Sequence, residues 1–156
     1  MYILDTDVFS ITSPTSGFSA SEAEAWRLWV KRNQDGLYFS VVTIMEVRFG
    51  IEKSAAKGAT KKAERLRKWL AAAETVHRNR IIPATIEIAH KAGELLYGAV
   101  AAGTTPSAED ALIAATADVK GFTVLSRNAK DMTALKANWS NPLDLAPPDV
   151  SPVSFD

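Results

Sequence analysis

The hydrophobic residues of this chain fall into short continuous runs, separated by longer stretches in which they recur every three or four positions. The short runs are typical of buried parallel strands and predict strands at 2–5, 38–41, 80–82 and 122–125. The periodic stretches predict helices at 7–11, 20–33, 44–55, 60–75, 85–102 and 108–119, with a short helix or turn within 128–139. This alternation favours an α/β fold in which helices cover both faces of a parallel sheet.

Two of the predicted helices differ in how clearly they define an inward face. Segment 108–119 is apolar nearly all round, so we expect it to be central and buried. In segment 85–102 the spacing places Ile86, Ala89, Leu96 and Val100 on the inward side.

The length of 156 residues suggests a single domain, which we assign to residues 1–145. Residues 146–156 are rich in proline and serine and are expected to form an extended or mobile tail. The absence of cysteine excludes disulfides, thiolate metal sites and a cysteine nucleophile. The N-terminus has no basic segment and no long apolar run, so we expect a cytoplasmic protein without a membrane contact.

The charges of the chain balance overall but are unevenly distributed. There are 18 basic and 18 acidic residues, which excludes a uniform attraction to nucleic acid. Between residues 48 and 80, however, ten basic residues stand against three acidic ones. A local basic arm of this kind can follow phosphates, and a solvated helix face is the alternative interpretation.

Four carboxylates, far apart in sequence, lie where an apolar run gives way to the start of a predicted helix: Asp5, Glu46, Asp110 and Asp131. In an open parallel sheet, the strand ends and the following helix starts share one edge, where ligands bind. Carboxylate oxygens are the ligands that Mg²⁺ and Mn²⁺ prefer. The four acids therefore predict a divalent metal site at that edge.

Helix capping is the competing explanation for three of these acids. Thr43–Glu46, Ser107–Asp110 and Asn128–Asp131 all have the spacing of a cap and a third-position partner. Asp5 is harder to explain as a cap because it ends a buried strand, where a carboxylate is costly unless it is paired or metal-bound. Asp7 is expected either to cap the short helix or to join the acids.

Four segments carry a resemblance to a known family. Ile3–Val8, Ser40–Glu52, Ser107–Ala117 and Leu125–Met132 resemble, in order, the acidic segments of PIN-domain nucleases, and most closely those of VapC-like toxins from bacterial toxin–antitoxin pairs. The resemblance implies a three-layer α/β/α sandwich with a mainly parallel sheet, and a Mg²⁺- or Mn²⁺-dependent endoribonuclease. It also implies a homodimer and a small cognate antitoxin protein.

The resemblance also assigns roles to individual residues. Asp5, Glu46, Asp110 and Asp131 become the catalytic and metal-binding acids, while Ser126 and Asn128 line the same pocket. Two positions depart from the family pattern: Asp7 stands where asparagine is common, and Met132 stands where an aromatic residue is common. The implied mechanism is hydrolysis of an RNA phosphodiester by a metal-activated water. The basic residues that would hold the RNA backbone are Lys61, Lys62, Arg65 and Lys68.

Two alternatives remain open at the level of sequence. Asp5 and Asp7 also fit the start of a haloacid-dehalogenase-like phosphatase, as nucleophile and acid/base. That family is expected to have a lysine and a late acidic pair, whereas this chain has Ser126–Asp131, and the chain is short for that fold with a cap. The second alternative is a non-catalytic PIN-like binding module, against which the presence of all four acids weighs.

Overall fold

A computed structural model describes residues 1–144 and 146–150 of the chain. Its strands are Tyr2–Leu4 (β1), Leu37–Ser40 (β2), Ile81–Ile82 (β3), Thr123–Leu125 (β4) and Trp139–Ser140 (β5). Its helices are Thr6–Phe9 (α1), Ala20–Asn33 (α2), Val41–Ala56 (α3), Thr60–Val76 (α4), Ile86–Ala101 (α5), Ala108–Lys120 (α6) and Ala129–Ala134 (α7). Short 3-10 turns cover Ser10–Thr12, Gln34–Gly36 and Arg78–Arg80.

The five strands form one parallel sheet in the order β3-β2-β1-β4-β5. The chain proceeds outward from β1 through β2 to β3, and then returns to the other side of β1 with β4 and β5. The order therefore reverses between β1 and β4, and the carboxyl ends of these two strands border the crevice where parallel sheets bind ligands. The α/β class and the parallel sheet that the sequence predicts are confirmed.

Helices cover both faces of the sheet because the strand residues alternate between two cores. Ile3 and Val124 belong to a core with α5, α6 and α7, whereas Leu4 and Leu125 belong to a core with α1 to α4. Both faces of the central strands thus pack against helices, which explains the continuous apolar runs. Helix α6 supplies six buried residues, in agreement with its nearly uniform apolar sequence.

Several element boundaries differ from the sequence predictions. Helix α3 begins at Val41 and is capped by Ser40, whose hydroxyl accepts from the Val42 amide at 3.2 Å. The predicted cap at Thr43–Glu46 is therefore wrong, and Glu46 lies in the second turn of the helix. Strand β5 was not predicted, because two residues are too few to give a periodic signal.

The predicted inward face of α5 is only partly correct: Leu96 packs against a core, but Ile86, Ala89 and Val100 are exposed. Ile88, Ala92 and Ala99 are buried, whereas Ile86 is 79% exposed and Val100 is 56% exposed. Apolar residues occupy most sides of this helix, so their spacing does not select one face.

Residues 146–150 lie against α2 and the start of β1. The indole N–H of Trp29 donates to the Pro147 carbonyl at 2.9 Å, and the Tyr2 hydroxyl donates to the Pro148 carbonyl at 3.0 Å. Asn33 donates to Asp149 at 2.7 Å and accepts from the Val150 amide at 2.5 Å. Residues 146–150 are thus held on the domain, whereas Leu145 and residues 151–156 of the expected tail lie outside the described residues.

Within the described residues, each helix is either too short or too polar to cross a lipid bilayer.

The contact between Asn33 and the chain end gives a testable stability effect. Asn33→Ala is expected to lower the free energy of unfolding by about 1–3 kcal/mol, because it removes buried hydrogen bonds and leaves their partners unsatisfied. The Val150 amide, protected from hydrogen exchange in the wild type, should lose that protection in the variant. Asn138→Ala is the matched control, since Asn138 is exposed and donates only to Thr123 at 2.9 Å. A Val150 amide that exchanges freely in the wild type would contradict the contact.

Candidate active site

Asp5 lies at the crevice between the ends of β1 and β4. It caps α1: one carboxylate oxygen accepts from the Thr6 amide at 2.7 Å. The other oxygen accepts from the Ser126 hydroxyl at 2.6 Å, and that hydroxyl in turn accepts from the Asn128 amide at 2.9 Å. Asp5 is only 5% exposed, so these donors partly compensate the loss of water. Asp5 is thus a helix cap, the explanation that the sequence favoured less for it than for the other acids, and its burial agrees with the sequence argument.

Glu46 reaches the same edge from the second turn of α3. The Thr6 hydroxyl donates a short hydrogen bond to its carboxylate. The Thr43 hydroxyl donates to the Leu4 carbonyl at 3.3 Å, which ties the first turn of α3 to the end of β1. Thr6 was missed by the sequence analysis, although it stands directly between Asp5 and Asp7.

Asp110 and Asp131 occupy equivalent places in α6 and α7, each as the third helical residue. The Ser107 hydroxyl accepts from the Asp110 amide at 3.0 Å and donates to its carboxylate at 2.8 Å. Asn128 accepts from the Asp131 amide at 3.3 Å and donates to its carboxylate at 2.9 Å. Both capping predictions are therefore confirmed. In each helix the capping side chain, Ser107 or Asn128, also donates a hydrogen bond to the carboxylate of the acid.

Asp7 lies in the first turn of α1 rather than capping it. One of its carboxylate oxygens accepts from the Arg127 amide at 3.1 Å. The other oxygen is buried and has no hydrogen-bond partner among the described residues. A buried carboxylate oxygen without a donor is costly. This Asp7 oxygen can therefore accept a hydrogen bond from a ligand or contact a cation beside Asp5.

The pKa values show that the acids form one electrostatic cluster. Burial, together with the negative charges of Asp7 and Asp110, raises the pKa of Asp5 to about 7, although hydrogen bonds from Ser126 and Thr6 lower it. Burial raises the pKa of Glu46, with added repulsion from Asp110, Glu109 and Asp7. The pKa of Asp110 is raised by burial and by the charges of Asp131 and Glu109. Because like charges oppose one another's ionisation, these carboxylates share a single confined region.

The cluster has the chemistry of a divalent cation site. Its donors are all carboxylate or hydroxyl oxygens, which suit Mg²⁺ or Mn²⁺, and a cation would relieve the repulsion that raises the pKa values. Within residues 1–144 and 146–150, however, no three acidic or histidine side chains are already arranged as a metal site. The carboxylates of Asp110 and Asp131 are instead turned toward their capping residues. The donor set thus fits a divalent cation, provided that these two side chains leave their caps.

An open cleft of about 420 Å³ adjoins the acids. It begins at Thr6, Asp7 and Glu46 and continues between the loop 13–18, α3 and α4. Of the four predicted RNA-binding residues, Lys62 lines this cleft. Arg65 donates to the Pro14 carbonyl at 3.3 Å, Lys68 pairs with Glu64 at 3.0 Å, and Lys61 is exposed. Lys62 is therefore the only one of the four that lines the cleft beside the acids.

The raised pKa of Asp5 predicts a stability effect in metal-free protein. With a folded pKa of about 7 and an unfolded value of 3.8, the folded state binds more protons between these values. Stability is therefore lost as pH rises from about 4 to 7. Asp5→Asn should escape this loss, so its gain in Tm over the wild type should grow across this range and reach roughly 3–8 °C at pH 8.

Thermal melts in a chelator at several pH values measure this gain. Asp118→Asn is the control, because Asp118 lies at the other end of α6 and contacts Lys91 at 3.3 Å. Its effect on Tm should be small. An Asp5→Asn protein that melts no higher than the wild type at pH 8 would contradict the electrostatic cluster.

Comparison with known proteins agrees with this geometry. The PIN domain family matches residues 2–136. VapC ribonuclease Y4jK of Sinorhizobium fredii is 28% identical over 148 residues, spanning 94% of this chain and 100% of the relative. Plasmid stability protein StbB of Pseudomonas syringae pv. tomato is 32% identical over 145 residues, spanning 91% of this chain and 98% of the relative.

The fold is likewise similar to a solved structure. The crystal structure of FitAcB from Neisseria gonorrhoeae aligns with a TM-score of 0.78 and 27% identity, over 93% of this chain and 100% of that chain. The family match extends from β1 to the residues just before β5, and so includes every acid of the cluster. The chain belongs to the PIN domain family.

Proposed function

We propose that this protein is a metal-dependent endoribonuclease and the toxin of a toxin–antitoxin pair, acting in the cytoplasm. The observation that carries the proposal is the cluster of mutually repelling carboxylates at the carboxyl ends of β1 and β4. VapC ribonuclease Y4jK, which is similar along its whole length, supports RNA as the substrate.

The residues that would hold Mg²⁺ or Mn²⁺ are Asp5, Glu46, Asp110 and Asp131. When bound, a divalent cation supplies positive charge that acidifies the attacking water and offsets the charge developing on the phosphate. The chain's own contribution is orientation: Ser126 and Thr6 direct the carboxylates of Asp5 and Glu46 by hydrogen bonds. The backbone N–H of Asn128 fixes the Ser126 hydroxyl in turn, since it donates to that oxygen.

The two alternative functions are less well supported. A phosphatase of the haloacid-dehalogenase type is disfavoured because the late strand is followed by Ser126–Asp131 rather than by the late acidic pair expected of that family. The family match is to the PIN domain as well. A non-catalytic module gives no reason for a buried Asp5 and the partly buried Glu46 and Asp110 to lie together, because their mutual repulsion raises their pKa values and destabilises the fold.

The proposed partners are RNA, a small cognate antitoxin and a second copy of the chain. The resemblance to VapC-like toxins supports the antitoxin. Exposed apolar side chains support protein contacts: Val41, Met45 and Phe49 recur every four residues on α3, and Phe49 is 68% exposed. Tyr97 and Val100 are exposed in the same way on α5.

Removal of a proposed metal ligand should abolish cleavage without unfolding the protein. Asp110→Asn is expected to lower kcat on single-stranded RNA with Mg²⁺ or Mn²⁺ by at least about 100-fold, because several kcal/mol of transition-state stabilisation depend on the cation. A chelator should have the same effect on the wild type. Asp118→Asn, on the same helix but outside the cluster, is the control and should retain activity. Full activity of Asp110→Asn would reject the assignment.

The position of Lys62 in the cleft makes the basic segment testable residue by residue. Lys62→Gln should weaken RNA binding across sequences and reduce the slope of log K against log salt by about 0.7, the value for one lost phosphate contact on a single strand. Lys68→Gln is the matched control, because Lys68 is paired with Glu64 outside the cleft. Equal effects of the two substitutions would favour the alternative interpretation, in which the basic residues only form a solvated helix face.

A further inference from the structure

The cleft beside the acids has two chemically different ends. Its inner end holds Asp7 and Glu46, and its floor consists of apolar side chains from two helices: Val47, Ile51, Leu66 and Trp69. Hydroxyl groups border it, from Ser10, Ser13, Thr15, Ser16 and Ser54. Its volume of about 420 Å³ lies within the range of pockets that bind small ligands. An apolar floor with a hydroxyl border suits a flat polar heterocycle better than an ion.

Phe18 and Arg127 form a stack within this cleft. The guanidinium carbon of Arg127 lies 4.9 Å from the centre of the Phe18 ring, a cation–π distance. The backbone amide of the same Arg127 donates to Asp7 at 3.1 Å, so the stack is fixed directly beside the acidic cluster. Arg127 is exposed and Phe18 is partly buried. Neither Arg127 nor Lys62 forms a salt bridge within the described part of the chain, so both cations are available to a ligand.

We propose that Phe18 and Arg127 form a nucleobase subsite that holds one unpaired base of the RNA beside the scissile phosphate and sets a sequence preference there. This inference rests on the proposed ribonuclease function.

Stacking is the physical basis of the subsite. Single-stranded RNA is recognised by bases that stack on aromatic rings and on Arg guanidinium planes, and this cleft offers both surfaces together. The hydroxyls at the border can hydrogen-bond to the edge of a base or to a ribose 2′-OH, and the Lys62 ammonium can contact a phosphate. Strand addition by a peptide is not favoured, because none of the described lining residues belongs to a strand.

The experiment uses a fluorescent single-stranded RNA that the wild type cleaves, and a series in which each position around the cut is made abasic in turn. Binding is measured by anisotropy in a chelator, so that it does not depend on cleavage. We expect one abasic position next to the cut to weaken wild-type binding by about 5- to 100-fold, the range for one stacked base. Phe18→Leu should weaken binding of the intact RNA by a similar factor and should be insensitive to that abasic position.

Two further variants separate stacking from charge and from folding. Arg127→Lys keeps the charge but removes the planar guanidinium, so it should show reduced sensitivity at the same position. Because Arg127 is exposed, this variant decides the question if Phe18→Leu does not fold. Arg78→Lys is the matched control, since Arg78 precedes β3 at the opposite edge of the sheet, and it should behave like the wild type.

Each outcome decides the inference. Equal sensitivity of the wild type, Phe18→Leu and Arg127→Lys at every abasic position would overturn the subsite while leaving the ribonuclease intact. A wild type that neither binds nor cleaves RNA would reject the proposed function and the subsite with it. Loss of binding to the cognate antitoxin in Phe18→Leu, with an unchanged RNA profile, would make the stack a protein-binding surface and overturn the inference.

Discussion

The burial of the Asp5 carboxylate at the end of β1 is the constraint around which the rest of the site is arranged. Its position follows from the sheet, because β1 and β4 are parallel neighbours and the strand order reverses between them. A carboxylate with 5% exposure needs donors, and these come from the residues that follow the two strands, Thr6 and Ser126. Even so, its pKa is raised to about 7, so the fold carries an unfavourable charge that the hydrogen bonds only partly offset.

Helix capping and cation binding turn out to be compatible roles for the same acids. Asp110 and Asp131 each receive a hydrogen bond from their own capping residue, so these two carboxylates have partners in the absence of a cation. A helix N-terminus favours a negative charge nearby, so one residue can serve both as a capping partner and as a cation ligand. In the proposed nuclease, Ser107 and Asn128 hold the carboxylates of Asp110 and Asp131 at the edge of the site. A rotation of each acidic side chain would exchange this hydrogen bond for contact with a cation.

The sequence predicted the parts of the protein that depend on local pattern. The parallel sheet follows from continuous apolar runs such as Phe122–Leu125. The sequence also places Asp5 after a strand and Asp110 and Asp131 at helix starts, whereas Glu46 lies in the second turn of α3. The α5 face was partly misassigned because apolar residues surround that helix, and β5 was missed because two residues carry no periodicity. Thr6, Phe18 and Arg127 had no local signal either, since their roles arise only when loop 13–18, α3 and the β4 edge are brought together.

Anomalous X-ray diffraction from crystals grown with Mn²⁺ tests the central claim, that the acids at the ends of β1 and β4 form one cation site. The account predicts a manganese peak in contact with the carboxylates of Asp5 and Asp110, with the Asp110 side chain turned away from Ser107. The same peak should be absent from crystals of Asp110→Asn. Manganese bound only elsewhere on the wild-type surface, with the Ser107–Asp110 hydrogen bond intact, would contradict the account.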